Sequence, residues 1–122
     1  MITKERKKMS VEEEKEVLED MLRKFEKKVE EDESLEDKME GFQRDIQVDF
    51  DSGNQYNLSI DGVELSDIED GPVKDADIVL SSSAETLRDL LEGEIGAMQA
   101  YASNKIKVDA SLTDMLKFKK LF

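Results

Sequence analysis

A chain of 122 residues with 38 % apolar and 40 % charged side chains has the material for one core under a heavily charged exterior, and too little for a second compartment. Its formal net charge of −13 argues against nucleic acid, where a basic face must neutralise phosphate, and against unaided docking on an anionic membrane surface. It has neither Cys nor His, which removes disulfides, thiol chemistry and the commonest general base, and fits a reducing, cytoplasmic compartment.

The charge is unevenly spread. Residues 11–40 hold six basic and fourteen acidic side chains, residues 41–80 hold two and ten, and residues 81–122 hold six of each. The acidic load therefore belongs to the first elements, and the C-terminal third is neutral. Met1 to Lys8 is basic with no apolar stretch behind it, so it reads as a tail and not as a secretory signal. The domain reading is a basic disordered tail over residues 1–10 and one domain over residues 11–122. No apolar run reaches the roughly 18 residues of a membrane span, so no stable membrane insertion is expected.

Ser10 precedes Val11-Glu12-Glu13, an N-cap followed by acids where the helix dipole favours them. Val11, Val17, Leu18, Met21, Leu22, Phe25 and Val29 then form one stripe at helical period, suited to lying on a sheet. Leu35 and Met39, one turn apart, predict a short second helix ending near Gly41. At Phe42 the period changes to two. Phe42, Arg44, Ile46, Val48 and Phe50 share one face of a strand, and Tyr56, Leu58 and Ile60 share one face of the next. Asp51-Ser52-Gly53-Asn54 is a turn between them. Asp61-Gly62, followed by Val63 and Leu65, is a two-residue hairpin signal.

After the break at Gly71-Pro72 comes the apolar strand Asp77-Ile78-Val79-Leu80, running into three serines. Ser82 and Glu85 have capping-box spacing for a helix carrying Ala84, Leu87, Leu90 and Leu91. Gly93 and Gly96 flank a turn into a short helix with Ile95, Met98, Tyr101 and Ala102. Asn104 is placed to end that helix, because Asn tolerates the left-handed conformation. Ile106, Val108 and Ala110 alternate with Lys105, Lys107 and Asp109 in a fifth strand. Ser111 and Asp114 open a last helix, Leu112 to Phe122.

Catalysis finds little support in these residues. No Gly-x-Ser-x-Gly elbow surrounds Ser81 to Ser83, which helix capping explains. Asp49-Phe50-Asp51-Ser52-Gly53-Asn54 begins like a calcium loop, but it puts Gly at the third ligand and Ile60 at the closing Glu, so no metal or other cofactor is expected. Lys117, Lys119 and Lys120 complement the dipole of the last helix. At about 100° per residue, Leu112, Leu116, Met115, Phe122 and Phe118 span an arc of about 160° that contains Lys119. A cation inside an apolar arc either snorkels from a frayed end or stands at the mouth of an apolar cavity facing an anionic head group. Gln99 lies beside the face of Ile95, Met98 and Ala102, where a ligand's polar end is one candidate partner.

Ala76-Asp77-Ile78, Met98-Gln99-Ala100-Tyr101, Lys105-Ile106-Lys107-Val108-Asp109 and the ending Lys120-Leu121-Phe122 together resemble the C-terminal half of the sterol-carrier-protein type 2 family of small lipid-binding domains. The resemblance covers roughly residues 11–122 and implies an α/β (α+β) fold. In that fold a five-stranded, mainly antiparallel sheet is covered on one face by helices, with an apolar tunnel between the sheet and the C-terminal helices. It implies a fatty acid, fatty acyl-CoA or sterol-like lipid as ligand and no catalytic residue. Mapped on this chain, the tunnel draws on Leu90 and Leu91, on Ile95, Met98, Gln99 and Tyr101, on Ile106 and Val108, and on Leu112, Met115, Leu116 and Lys119. Asn104 and Ala110 stand where the family often has Gly, and Tyr101 where Phe is frequent. The rival expectation is a structural module of the same fold, whose apolar surface packs in a homodimer or on a partner enzyme without carrying lipid.

Overall fold

The computed structural model describes residues 10–121, without the side chains of residue 97 and of residues 118–121. Most of the expected basic tail, residues 1–9, and residue 122 lie outside this description. Ser10 belongs to the domain. Its hydroxyl accepts from the Glu13 amide at 3.2 Å and its own amide donates to Glu13 Oε1 at 2.9 Å, a reciprocal cap that opens α1 (Val11–Glu31). Val17, Leu18, Met21, Leu22, Phe25 and Val29 pack on the sheet, but Val11 is exposed. The inward place one turn along belongs to Glu14, only 1 % exposed. Its carboxylate accepts from Ser52 Oγ (2.6 Å), Asn54 Nδ2 (2.8 Å) and the Tyr56 hydroxyl (2.7 Å), which makes burial of the charge tolerable. Helix α2 (Ser34–Lys38) buries Leu35, and Met39 behind it, against Phe42, Ile60 and Ile78.

Strands β1 (Gln43–Phe50) and β2 (Gln55–Asp61) pair antiparallel, with Val48 opposite Tyr56 and Ile46 opposite Leu58. The turn between them contains Gly53 at φ +97°, a conformation closed to most side chains. The hairpin after β2 is shifted one residue from the sequence expectation. Asp61 remains in the strand opposite Glu64, and Gly62-Val63 form the loop, with Gly62 at φ +66°. The edge of the sheet is then built in two pieces that both pair with β2: β3 (Glu64–Leu65) and β4 (Glu69–Asp70). The second was not legible in the sequence, because a two-residue acidic strand has no alternation to read. Its charges suit an exposed edge.

Strand β5 (Ile78–Ser82) lies parallel to β1, Ile46 beside Ile78 and Phe50 beside Ser82. Strand β6 (Ile106–Asp109) joins β5 antiparallel, Leu80 opposite Val108 and Ser82 opposite Ile106. The order is β3-β2-β1-β5-β6, with β4 beside β2. The sheet is thus mainly antiparallel, with one parallel pair at its centre, and has six strands where five were expected. Its apolar face carries Val48, Phe50, Tyr56 and Leu58, covered by α1 and by α3 (Ala84–Leu91). The cap of α3 is Ser83, which accepts from the Thr86 amide at 3.0 Å. The expected Ser82–Glu85 box is displaced because Ser82 is still held in β5.

Candidate ligand-binding face

Chain order and register decide where the two C-terminal helices stand. Ile106 aligns with Ser82 and hence with the Phe50 end of β1, whereas Asp109 aligns with Val79, near the Arg44 end. Helix α4 (Ala97–Ala102) therefore precedes β6 at one end of the sheet, and α5 (Leu112–Leu121) follows it at the other. Asn104 closes the turn from α4 into β6 with φ +62°, the left-handed conformation expected of it. Between the helices runs the apolar face of β5 and β6. Ile78 is sealed beneath α2, but Leu80, Ile106, Val108 and Ala110 are only half-buried. From Ala110 to Ile106 this strip is about 13 Å long, at about 3.3 Å per strand residue.

Leu90 and Leu91 of α3 flank the strip half-buried, packed on the cluster of Val17, Leu18 and Leu87, and Ile95 in the following turn is half-buried as well. Helix α4 buries Ala100 and leaves Met98 68 % and Tyr101 49 % exposed. Gln99 is also exposed. On α5 the contrast is sharper. Leu112 is 75 % and Leu116 55 % exposed, and Met115 is half-buried. The side chain of Lys119 lies outside the described residues.

What docks α5 is polar. Arg44 projects from the apolar face of β1, which it shares with Ile46 and Val48. It donates from Nε to Asp114 Oδ2 at 2.7 Å and from Nη2 to Oδ1 at 3.1 Å. The Asp114 side chain is 4 % exposed. The Arg44 guanidinium also stacks 4.5 Å from the centre of the Phe42 ring and donates from Nη1 to the Gln43 carbonyl at 2.7 Å. Lys117 Nζ stands 4.8 Å from the same ring and donates to the Lys38 carbonyl at 3.4 Å. The hydrogen bonds to Asp114 hold the Arg44 guanidinium above its already high ordinary value, with the charge of Asp77 adding to the effect.

Helix geometry does the rest. At about 100° per residue, Leu112 and Leu116 lie about 160° round the axis from Asp114, and Lys117 about 60° from it. An inward Asp114 therefore turns Leu112 and Leu116 outward. Of the apolar arc expected to face the sheet, Leu112 and Leu116 face water. Sequence reading placed Asp114 as a cap partner, and the Ser111 hydroxyl does accept from the Asp114 amide at 3.1 Å. It missed the ion pair, for which Arg44 in an otherwise apolar inward set was the signal. Among the described residues no helix is long and apolar enough to cross a membrane, and no group of three or more acidic side chains is arranged to hold a metal ion.

The model of the SCP-2 sterol transfer family matches residues 19–122. No curated protein matches the chain in sequence. Among solved structures, the sterol carrier protein domain 2 of Helicoverpa armigera is similar at 21 % identity and a TM-score of 0.61, over 95 % of this chain and 91 % of that one. Sterol carrier protein 2 like 2 of Aedes aegypti is similar at 14 % identity and a TM-score of 0.60, over 87 % and 96 %. A stereoselective inverting sec-alkylsulfatase from Pseudomonas is similar at 18 % identity and a TM-score of 0.57, over 71 % of this chain but only 14 % of the sulfatase. At these identities the likeness is one of fold.

Proposed function

The chain belongs to the SCP-2 sterol transfer family, and from that premise we propose that it carries a hydrophobic ligand, without converting it, over the apolar face of β5 and β6. The observation that carries this reading is the set of large apolar side chains left in water around that face: Met98 and Tyr101 at one end, Leu112 and Leu116 at the other. A chain with 40 % charged residues has ample polar material to cover its surface. Burying each exposed leucine would gain about 1.5–3 kcal/mol. Ile106 and Val108 form the floor, Leu90, Leu91 and Ile95 one flank, and Gln99 and Lys119 the polar positions near the ends. A fatty acid, fatty acyl-CoA or sterol-like lipid has the required apolar bulk. An uncharged lipid lies open on this face with α5 as it stands, and closing the face into a tunnel requires α5 to turn Leu112, Met115 and Leu116 over it.

The test is thermal. A ligand at about a hundred times its dissociation constant adds roughly 2.7 kcal/mol to stability. The melting temperature should therefore rise with palmitate, hexadecanol, palmitoyl-CoA or cholesterol, and native mass spectrometry should find the bound mass. A flat response to all four would sink the carrier reading. The second reading, an assembly module, draws on the likeness to one short part of a sulfatase. It expects a lipid-free dimer or a complex with a partner enzyme in the same spectrum.

A further inference from the structure

The ion pair between Arg44 and Asp114 is a ready-made seat for a carboxylate. Arg44 is the cation among the inward positions of β1, at the end of the half-covered strip where β6 leaves the sheet. Its side chain is 32 % exposed, so the guanidinium can be approached from water, while the carboxylate it holds is nearly sealed. The two parallel N–H···O bonds fix the plane and orientation of that carboxylate, and the Phe42 ring holds the guanidinium plane from behind. This bond keeps α5 with its polar side inward. The same helix cannot present Asp114 and its leucine pair to the sheet at once, because they lie on opposite sides of it.

We propose that a carboxylate-headed amphiphile, a free fatty acid, exchanges with Asp114 at Arg44, and that the exchange releases α5 to lay Leu112 and Leu116 over the tail. The inference rests on the carrier reading and gives it a head-group seat. Asp114 is the built-in competitor. The protein's own carboxylate occupies the seat in the empty state, so an uncharged lipid gains nothing from it, and a fatty acid gains only the difference between its carboxylate and Asp114. Removing the competitor should be worth about tenfold in affinity, equivalent to about 1.4 kcal/mol.

The experiment compares palmitate with hexadecanol, equal in chain length, on the full chain by displacement of a fluorescent probe. Asp114→Asn should tighten palmitate about tenfold and leave hexadecanol within about twofold. Arg44→Gln should weaken palmitate relative to hexadecanol by a similar factor. Because that variant leaves Asp114 sealed without its cation, the double variant Arg44→Gln/Asp114→Asn supplies a neutral pair of similar shape. It should fold, by circular dichroism, and show no preference for palmitate. In the native protein, amide exchange in α5 should quicken with palmitate and stay unchanged with hexadecanol. If both lipids bind and their affinity ratio is the same in every variant, or if palmitate leaves exchange in α5 unaltered, the seat is overturned while the carrier reading stands. If neither lipid binds the native protein, the carrier reading fails and the seat falls with it.

Discussion

Glu14 is a carboxylate placed where an apolar stripe would have an aliphatic residue, and three donors from the β1–β2 turn and β2 converge on it. Replacing it with Leu would fill the space and strand those donors. At about 1 kcal/mol or more for each unsatisfied group, Glu14→Leu should lower stability by about 3 kcal/mol in urea unfolding. A loss below about 1 kcal/mol would mean that water reaches the site. The phenol of Tyr56 sits in the same pocket, and burial first, then its hydrogen bond to Glu14, raises its pKa above the ordinary 10.0. The sign follows from the proton. The folded state binds it more tightly than the unfolded chain, so the contribution is complete below about pH 10 and declines as pH rises beyond that. Tyr56→Phe should flatten the alkaline slope of stability between about pH 10 and 11. An unchanged slope would put the titration on another group.

The exposed side of α5 sets up a test at the level of the element. Leu112→Ser with Leu116→Ser alters side chains that are 75 % and 55 % exposed, so folding stability should stay within about 0.5 kcal/mol of the native value. Ligand affinity should fall if these residues close over a lipid. Intact affinity would remove α5 from the proposed wall. Much of the framework was legible from pattern: the α1 stripe, the alternation in β1 and β2, the left-handed Asn104 and the resemblance, best from Ala76 onward, each rest on local chemistry. The orientation of α5 was not. Its apolar arc predicts one docking face, and the pair between Arg44 and Asp114 selects the opposite one. Seventy positions separate those partners, a contact that no local period records. The shifts of one residue at Gly62 and Ser83 have a milder cause, since strand pairing extends past the residue where the turn signal begins.

Across the whole molecule the acidic surplus governs the electrostatics. Residues 11–80 hold all of it, with 24 acidic against 8 basic side chains on α1, α2, β1 to β5 and their connections. Lys15 with Asp70, 2.9 Å apart, links α1 to the edge strand, but such exposed pairs contribute little. Self-repulsion should therefore destabilise the fold at low ionic strength. Raising salt from about 0.01 M to about 0.15 M shortens the Debye length from about 30 Å to about 8 Å, so the melting temperature should rise. A fall would mean that attractive pairs outweigh the repulsion.

The parallel contact of β1 with β5 has a kinetic consequence. The strands from β1 to β4 follow one another along the chain and can zip as hairpins, but β5 must return across that whole segment to reach the centre of the sheet. Until it does, β1 has a bare edge and Ile46, Val48 and Phe50 lack their neighbours. Loop closure of this span is an entropic toll taken before any contact compensates it. The slow step of refolding should thus be the arrival of β5. A substitution such as Ile78→Val, at the first paired residue of that strand, would retard folding and leave the unfolding rate nearly as it was.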